Sequence, residues 1–438
     1  MTAFLAEIGE HLLKLRTGRS RTMQLARASA WMLAGSVVQQ LFAMLASIGT
    51  GRILGPADFG KLGIVRSTVL FFAGVAGAGV GVAATRYVAA HRAEDPARAG
   101  RIVGLILTVA WCVSATAALL CAGLSGVIAT RVFGTAQLAL PIAIGAAGIV
   151  FSIVGGVQIG VLTGFERFSA VATLLAAEGI VAGALTVAGA WMNGVAGAVL
   201  GQIAGVGIVF CCKQLQMMAA CRQESVPVTT AGMRAELSIL GAFVVPAILL
   251  GVATQPAEWL SRVLLARSAN GMAEVGLFTV AFSWAQLVLF VPSQLAGPST
   301  PLLTGALAAR DTAAFRRLLR HSAGIAFGAA VAVAVPLALL SPLIMRAYGR
   351  GFAGGAPALA LLALAYAVGA VTMVFRTALF AVEKVWLQNA QVAIAGAVLI
   401  GTFLLCRHFG ALGLAAGYAA AYVVLVPIQA VPVLRAGR

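Results

Sequence analysis

The chain has 438 residues, of which 61% are hydrophobic and only 10% charged, with a mean hydropathy of +1.00. Soluble domains carry roughly 25% charged residues, so a water-soluble globular protein is excluded. The formal net charge of +17, from 30 Lys+Arg against 13 Asp+Glu, belongs in such a chain to cytoplasmic loops that hold its orientation, and nucleic acid is not expected as a partner.

Residues 1–28 are too polar for the apolar region of a signal peptide. Phe4, Leu5, Ile8, Leu12 and Leu15 instead predict a cytoplasmic amphipathic helix lying on the membrane. A helix needs about 20 apolar residues to cross ~30 Å of hydrocarbon. Segments that qualify run near 29–50, 64–89, 102–124, 136–162, 171–192, 195–212, 237–261, 274–303, 322–345, 355–380, 385–406 and 410–432. The expected fold is an all-α polytopic membrane protein of twelve transmembrane helices. The connections are short, and the longest polar stretch, Lys213 to Glu236, cannot hold a folded domain.

With the N-terminus inside, 20 Lys and Arg fall in inner loops and 9 in outer ones, which predicts cytoplasmic termini. The six cysteines lie in or at the ends of apolar segments and read as small buried hydrophobes without disulfides. The four histidines are scattered, so no metal site is expected.

The sequence repeats. At an offset of 216, Gly55-Pro56-Ala57-Asp58-Phe59-Gly60 aligns with Gly271-Met272-Ala273-Glu274-Val275-Gly276, sharing G-x-A-[DE]-x-G. Asp95 then meets Asp311, Arg101 meets Arg317, and Gly194, Gly197 and Gly201 meet Gly410, Gly413 and Gly417. An even number of spans per unit makes the repeats parallel. The expected organisation is an N-lobe over 29–219, a cytoplasmic linker over 220–236 and a C-lobe over 237–438. Two similar six-helix lobes suit a rocking transporter.

The stretch Gly51–Gly63, followed by Gly77–Gly81 and Ala83-Ala84-Thr85-Arg86-Tyr87-Val88-Ala89, resembles the opening signature of the polysaccharide transport branch, the Wzx-type oligosaccharide-lipid flippases. These belong to the superfamily that also holds the multidrug and toxin extruders and the lipid II flippases. Leu162-Thr163-Gly164-Phe165-Glu166-Arg167-Phe168 is similar to that branch's Gly-x-x-[Arg/Lys]-Phe turn. The resemblance implies a cavity lined mainly by spans 1, 2, 7 and 8. It also implies movement of an undecaprenyl-pyrophosphate-linked glycan between leaflets of the bacterial inner membrane, for O-antigen, capsule or exopolysaccharide assembly. Membrane lipids and glycan polymerase or ligase proteins are the expected partners, and a monomer the expected state.

A charge at the centre of a spanning helix costs ~2.5–3.5 kcal/mol on insertion scales and needs a reason. Arg66 and Arg376 lie within spans 2 and 10, Arg262 lies at the outer end of span 7, and Arg52 lies in the loop after span 1. One reading makes them a cationic lining for a (pyro)phosphate headgroup, whose oxygens match the paired N–H donors of Arg. The other is snorkelling to the lipid headgroups. Glu258 and Arg262 are spaced to pair on one helix face, or Glu258 is a gate or a site for a coupling proton or sodium ion. Glu178 in span 5 is the second such acid, with Thr173 or Thr186 as its conceivable hydrogen-bond partners. Prolines 246, 256, 292, 298 and 301 predict bends in spans 7 and 8.

Three function classes follow. The lipid-linked glycan flippase is favoured by the Arg excess. A multidrug-type cation antiporter shares the architecture and calls for buried acids. An enzyme needs a sizeable external loop, and every external loop is short. No catalytic residue is expected, and no G-x-x-x-x-G-K-[ST] loop occurs for nucleotide.

Overall fold

The computed structural model describes residues 2–77, 79–237, 245–290, 292–293, 311–381 and 385–436. Side chains are described within these ranges from residue 30 to residue 432, apart from 234, 245–250, 252–254, 380–381 and 385–386. The described residues are helical and contain no strand.

Helix α1 (Thr2–Gly77) opens the chain, and residues 2–29 run into the first span without a break. Its one non-helical residue is Gly55, at φ 72° and ψ 175°, a conformation that glycine enters without steric cost. That turn separates spans 1 and 2, and span 2 continues as α2 (Val80–His91). Then come α3 (Pro96–Gly123), α4 (Ala139–Gly145), α5 (Ala147–Gly164) and α6 (Phe168–Gln223). Asn193 and Gly194 break α6 into spans 5 and 6. The second half holds α7 (Val245–Ala266), α8 (Gly271–Ala285), α9 (Thr312–Leu339), α10 (Ala356–Ala381), α11 (Val385–Leu405) and α12 (Ala411–Ala436).

Nine of the described segments are long and apolar enough to cross a membrane. Two of these, Ala30–Gly77 and Phe168–Gln223, have 48 and 56 residues. At 1.5 Å per residue the shorter is ~72 Å long, more than twice the hydrocarbon thickness, and each contains one of the glycine breaks. Each of the twelve expected spans overlaps a described helix. Helix α7 stays helical through Pro256; the bends expected at Pro298 and Pro301 lie outside the described residues.

The repeat extends to backbone detail. Helices α3 and α9 both have 28 residues and start 216 apart. Asp95 Oδ1 accepts from the Arg98 amide and Asp311 Oδ1 from the Ala314 amide, both at 2.8 Å. Each carboxylate thus satisfies an amide that the helix start leaves unpaired. Gly194 (φ 55°, ψ −136°) and Gly410 (φ 54°, ψ −124°) make the same turn in the two halves.

The two halves meet where the shared motif lies. A Cβ on Gly60 would collide with the Met272 carbonyl, and one on Gly276 with the Pro56 carbonyl. These contacts exchange under the 216-residue offset, and Gly63 sits against its own counterpart, Thr279. A pseudo-two-fold axis therefore passes between α1 and α8, with glycine letting the backbones touch.

One boundary differs from expectation. The polar stretch expected from Lys213 is helical as far as Gln223, and Lys213 is buried inside α6. Beyond α6 the chain is strapped along α3. Gly100 and Gly104 abut the carbonyls of Pro227 and Thr229, and buried Glu236 pairs with Arg98 (3.2 Å) and Arg101 (3.7 Å).

Candidate substrate cavity

Between the two halves lies a cavity of about 530 Å³, and three of the charged residues expected to matter face it: Glu258, Arg262 and Arg376. Helix α7 contributes the first two one turn apart, with Gln255 and Trp259; α10 supplies Arg376 from across the space. Ser67 of α1, Ser152 of α5, Gln286 after α8 and Gln388 of α11 complete the polar lining. Spans 2, 7 and 8 thus line it as the resemblance implies, joined by spans 4, 10 and 11, whereas Gln39 of span 1 faces a different pocket.

The Glu258–Arg262 pair permitted by the spacing is not made. Among the described residues no ion pair joins them; the Arg262 guanidinium lies 4.7 Å from the centre of the Phe282 ring. A cation held on an aromatic face keeps its N–H donors for other partners. Arg376 is exposed into the space rather than drawn into a pair. Among the described residues the buried Gln388 carbonyl oxygen has no hydrogen-bond partner.

Arg66 and Glu178 face a second pocket of about 250 Å³ inside the first half. Arg66 Nε donates to Gln202 Oε1 at 2.8 Å. Glu178 is ion-paired with Lys213, a partner that neither Thr173 nor Thr186 supplies: both hydroxyls donate to backbone carbonyls of their own helix. Lys213 is the pocket partner that sequence reasoning missed, because the end of an apolar run reads as a loop.

Arg52 lies elsewhere, at the end where α1 turns. Its Nε donates to the Ala347 carbonyl at 2.6 Å, at the end of the short helix Ser341–Ala347. Arg267 does the reciprocal from the second half, donating to the carbonyls of Val132 (2.7 Å) and Arg131. Arg131 and Ala347 are 216 apart. Phe59, Tyr348 and Phe352, each about 1% exposed, fill the space beside these bonds with ring centres 5.6–6.0 Å apart. Tyr348 bridges the halves, accepting from Trp284 Nε1 (3.0 Å) and donating to Ser47 Oγ (3.1 Å). These bonds and rings tie the two halves together at this end.

Residues 25–304 match the family of polysaccharide biosynthesis proteins. The chain belongs to that family. It is 24% identical over 203 residues to the EPS I polysaccharide export inner membrane protein EpsE of Ralstonia nicotianae, a match spanning 45% of each chain, so less than half of that relative's length. In fold it is similar to a multidrug-resistance MATE-family transporter of the MOP superfamily in its inward-facing conformation, with TM-score 0.76 at 16% identity over 93% of this chain and 98% of that one. A MOP-superfamily transporter from Pyrococcus furiosus, described as having a reversed binding-pocket polarity, matches with TM-score 0.65 at 16% identity, over 94% of each chain. This family member is thus a multi-pass membrane protein with a transporter fold.

Proposed function

We propose that this protein is a flippase that moves an undecaprenyl-(pyro)phosphate-linked oligosaccharide across the bacterial inner membrane by alternating access, for surface polysaccharide assembly. The observation that carries the reading is the placement of Arg262 and Arg376 on the cavity between the halves, with guanidinium donors free of carboxylate partners among the described residues. Phosphate oxygens are the acceptors such forks match. The export protein similar to this chain supports the glycan and the inner-membrane location. In this reading lobes 29–219 and 237–438 rock about the Gly60–Gly276 contact, the strap 220–236 moves with the first lobe, and both termini are cytoplasmic.

Glu258 is the coupling site, taking a proton or sodium ion from the cavity, because no cation pairs with it among the described residues. Glu178 is neutralised by Lys213, which also argues against the alternative of a multidrug-type cation antiporter: the acid of the first-half pocket is already occupied. Glycan polymerase or ligase proteins would receive the product.

The test is transport of a lipid-linked oligosaccharide into vesicles holding the purified protein. Arg262→Gln and Arg376→Gln are expected to cut the initial rate on the order of tenfold or more each, the loss of one charge-assisted hydrogen bond. Glu258→Gln should abolish the response to one imposed ion gradient. Wild-type rates from the double Arg variant, or drug-cation transport in its place, reject the reading.

A further inference from the structure

On the flank of the first half, α1 and α3 enclose a groove of about 460 Å³. Phe71, Phe72 and Val75 form one wall and Cys112, Val113 and Leu120 the other. The Thr116 hydroxyl, also on this surface, is turned back onto the Cys112 carbonyl at 2.8 Å, so the groove offers an apolar ligand nothing it must desolvate. Its inner end is Phe71, which stacks on Trp259 with ring centres 5.1 Å apart and planes inclined 26°. Trp259 in turn lines the central cavity and donates its indole N–H to Thr68 Oγ1 at 3.2 Å. The Phe71–Trp259 stack is thus a shared wall on the seam between α1 and α7, with an apolar groove on one side and Arg262 on the other.

We propose that this groove is the binding site for the polyprenyl chain of the substrate, with Phe71 and Trp259 as the lateral door through which phosphate head and lipid tail stay connected. The inference rests on the flippase reading given above. A glycan-bearing anionic head and a long polyprenyl tail do not both fit in a cavity of about 530 Å³ whose wall carries Glu258, Arg262, Arg376 and three glutamines, and the tail gains most where the wall is apolar throughout. The tail must leave sideways, and the groove begins one aromatic pair away from the arginines. Its Phe71–Phe72 wall accepts flat isoprene units; a bulk phospholipid chain is the competing occupant.

The experiment measures equilibrium binding of three probes to the purified full-length protein at fixed detergent: inorganic pyrophosphate, geranyl pyrophosphate and undecaprenyl pyrophosphate. Affinity is expected to rise with chain length. Cys112→Trp and Val113→Trp, which fill the groove, should remove about tenfold or more of that gain while leaving inorganic pyrophosphate binding intact. Leu119→Trp, on the same helix but 74% exposed and outside the groove, should change nothing. A diazirine-bearing polyprenyl pyrophosphate should crosslink within 112–120, which reads the site even where a tryptophan variant fails to fold.

Equal affinity for all three probes, or an identical loss in Leu119→Trp, overturns the groove while leaving the phosphate site standing. Crosslinks displaced by excess phospholipid but not by polyprenyl pyrophosphate overturn it in favour of a bulk lipid. If no pyrophosphate probe binds the wild-type protein, the flippase reading falls and the groove falls with it.

Discussion

Lys213 and Glu178 lie 35 positions apart on the two spans of α6 and meet across the pair of helices joined at Asn193–Gly194. An ammonium there is tolerable because the carboxylate is in contact with it; either group alone leaves a poorly solvated charge. Lys213→Met is therefore expected to destabilise the protein by about 2 kcal/mol. That is below the ~3–5 kcal/mol of fully buried pairs, because the Glu178 side chain is 23% exposed and so partly solvated. Adding Glu178→Gln should restore most of the loss, as read from reversible unfolding in mixed micelles. A double variant no more stable than Lys213→Met would show that the Lys213 stem, not the ion pair, supplies the stability. The division of the arginines was not legible at this scale. Spacing along a helix gives the face relative to its neighbours but not the helix's rotation. Arg66 and Arg262 thus look alike in sequence, yet face different pockets.

Helices α1 and α8 cross where glycine brings backbone against backbone. At Gly60 the obstacle to a side chain is the Met272 carbonyl, and at Gly276 the Pro56 carbonyl. Neither can rotate away as a side-chain end can. Gly60→Ala and Gly276→Ala are expected to cost ~1–3 kcal/mol each. Gly126→Ala, with nothing within 4 Å of the added carbon, should be neutral or slightly stabilising. Comparable unfolding midpoints for Gly60→Ala and Gly126→Ala would remove the close contact from the account. Elements were the most legible level of this protein. Apolar runs mark the spans, and the offset of 216 marked the G-x-A-[DE]-x-G pair whose members turn out to touch. The helix caps Asp95 and Asp311 were legible as a matched pair for the same reason. What misled was the inner end of α6, where Lys213 marks no boundary because its charge is answered by a residue in the preceding span, across the Asn193–Gly194 turn.

A transporter that exposes its cavity alternately must break whatever closes each end. In this structure the halves are tied at one end by two reciprocal bonds, Arg52 to the Ala347 carbonyl and Arg267 to those of Arg131 and Val132, around the Phe59, Tyr348 and Phe352 cluster, and in the alternating-access reading this is the sealed end. Each arginine crosses from its own half to the matching position of the other, so opening breaks both together. Both are exposed, so each bond contributes at the low end of charge-assisted hydrogen bonds, about 1 kcal/mol. The double variant Arg52→Ala/Arg267→Ala should then shift the equilibrium between sealed and open forms on the order of thirtyfold, if the two effects add. A single cysteine at Ser67, a buried cavity residue, reports the change in a background without the six native cysteines. A membrane-impermeant thiol reagent applied from the sealed side should label it faster in each single variant and fastest in the double one. Labelling from the opposite side should slow to match. Faster labelling from both sides would mean that the protein has loosened rather than changed state, and unchanged labelling would leave the aromatic cluster alone holding that end closed.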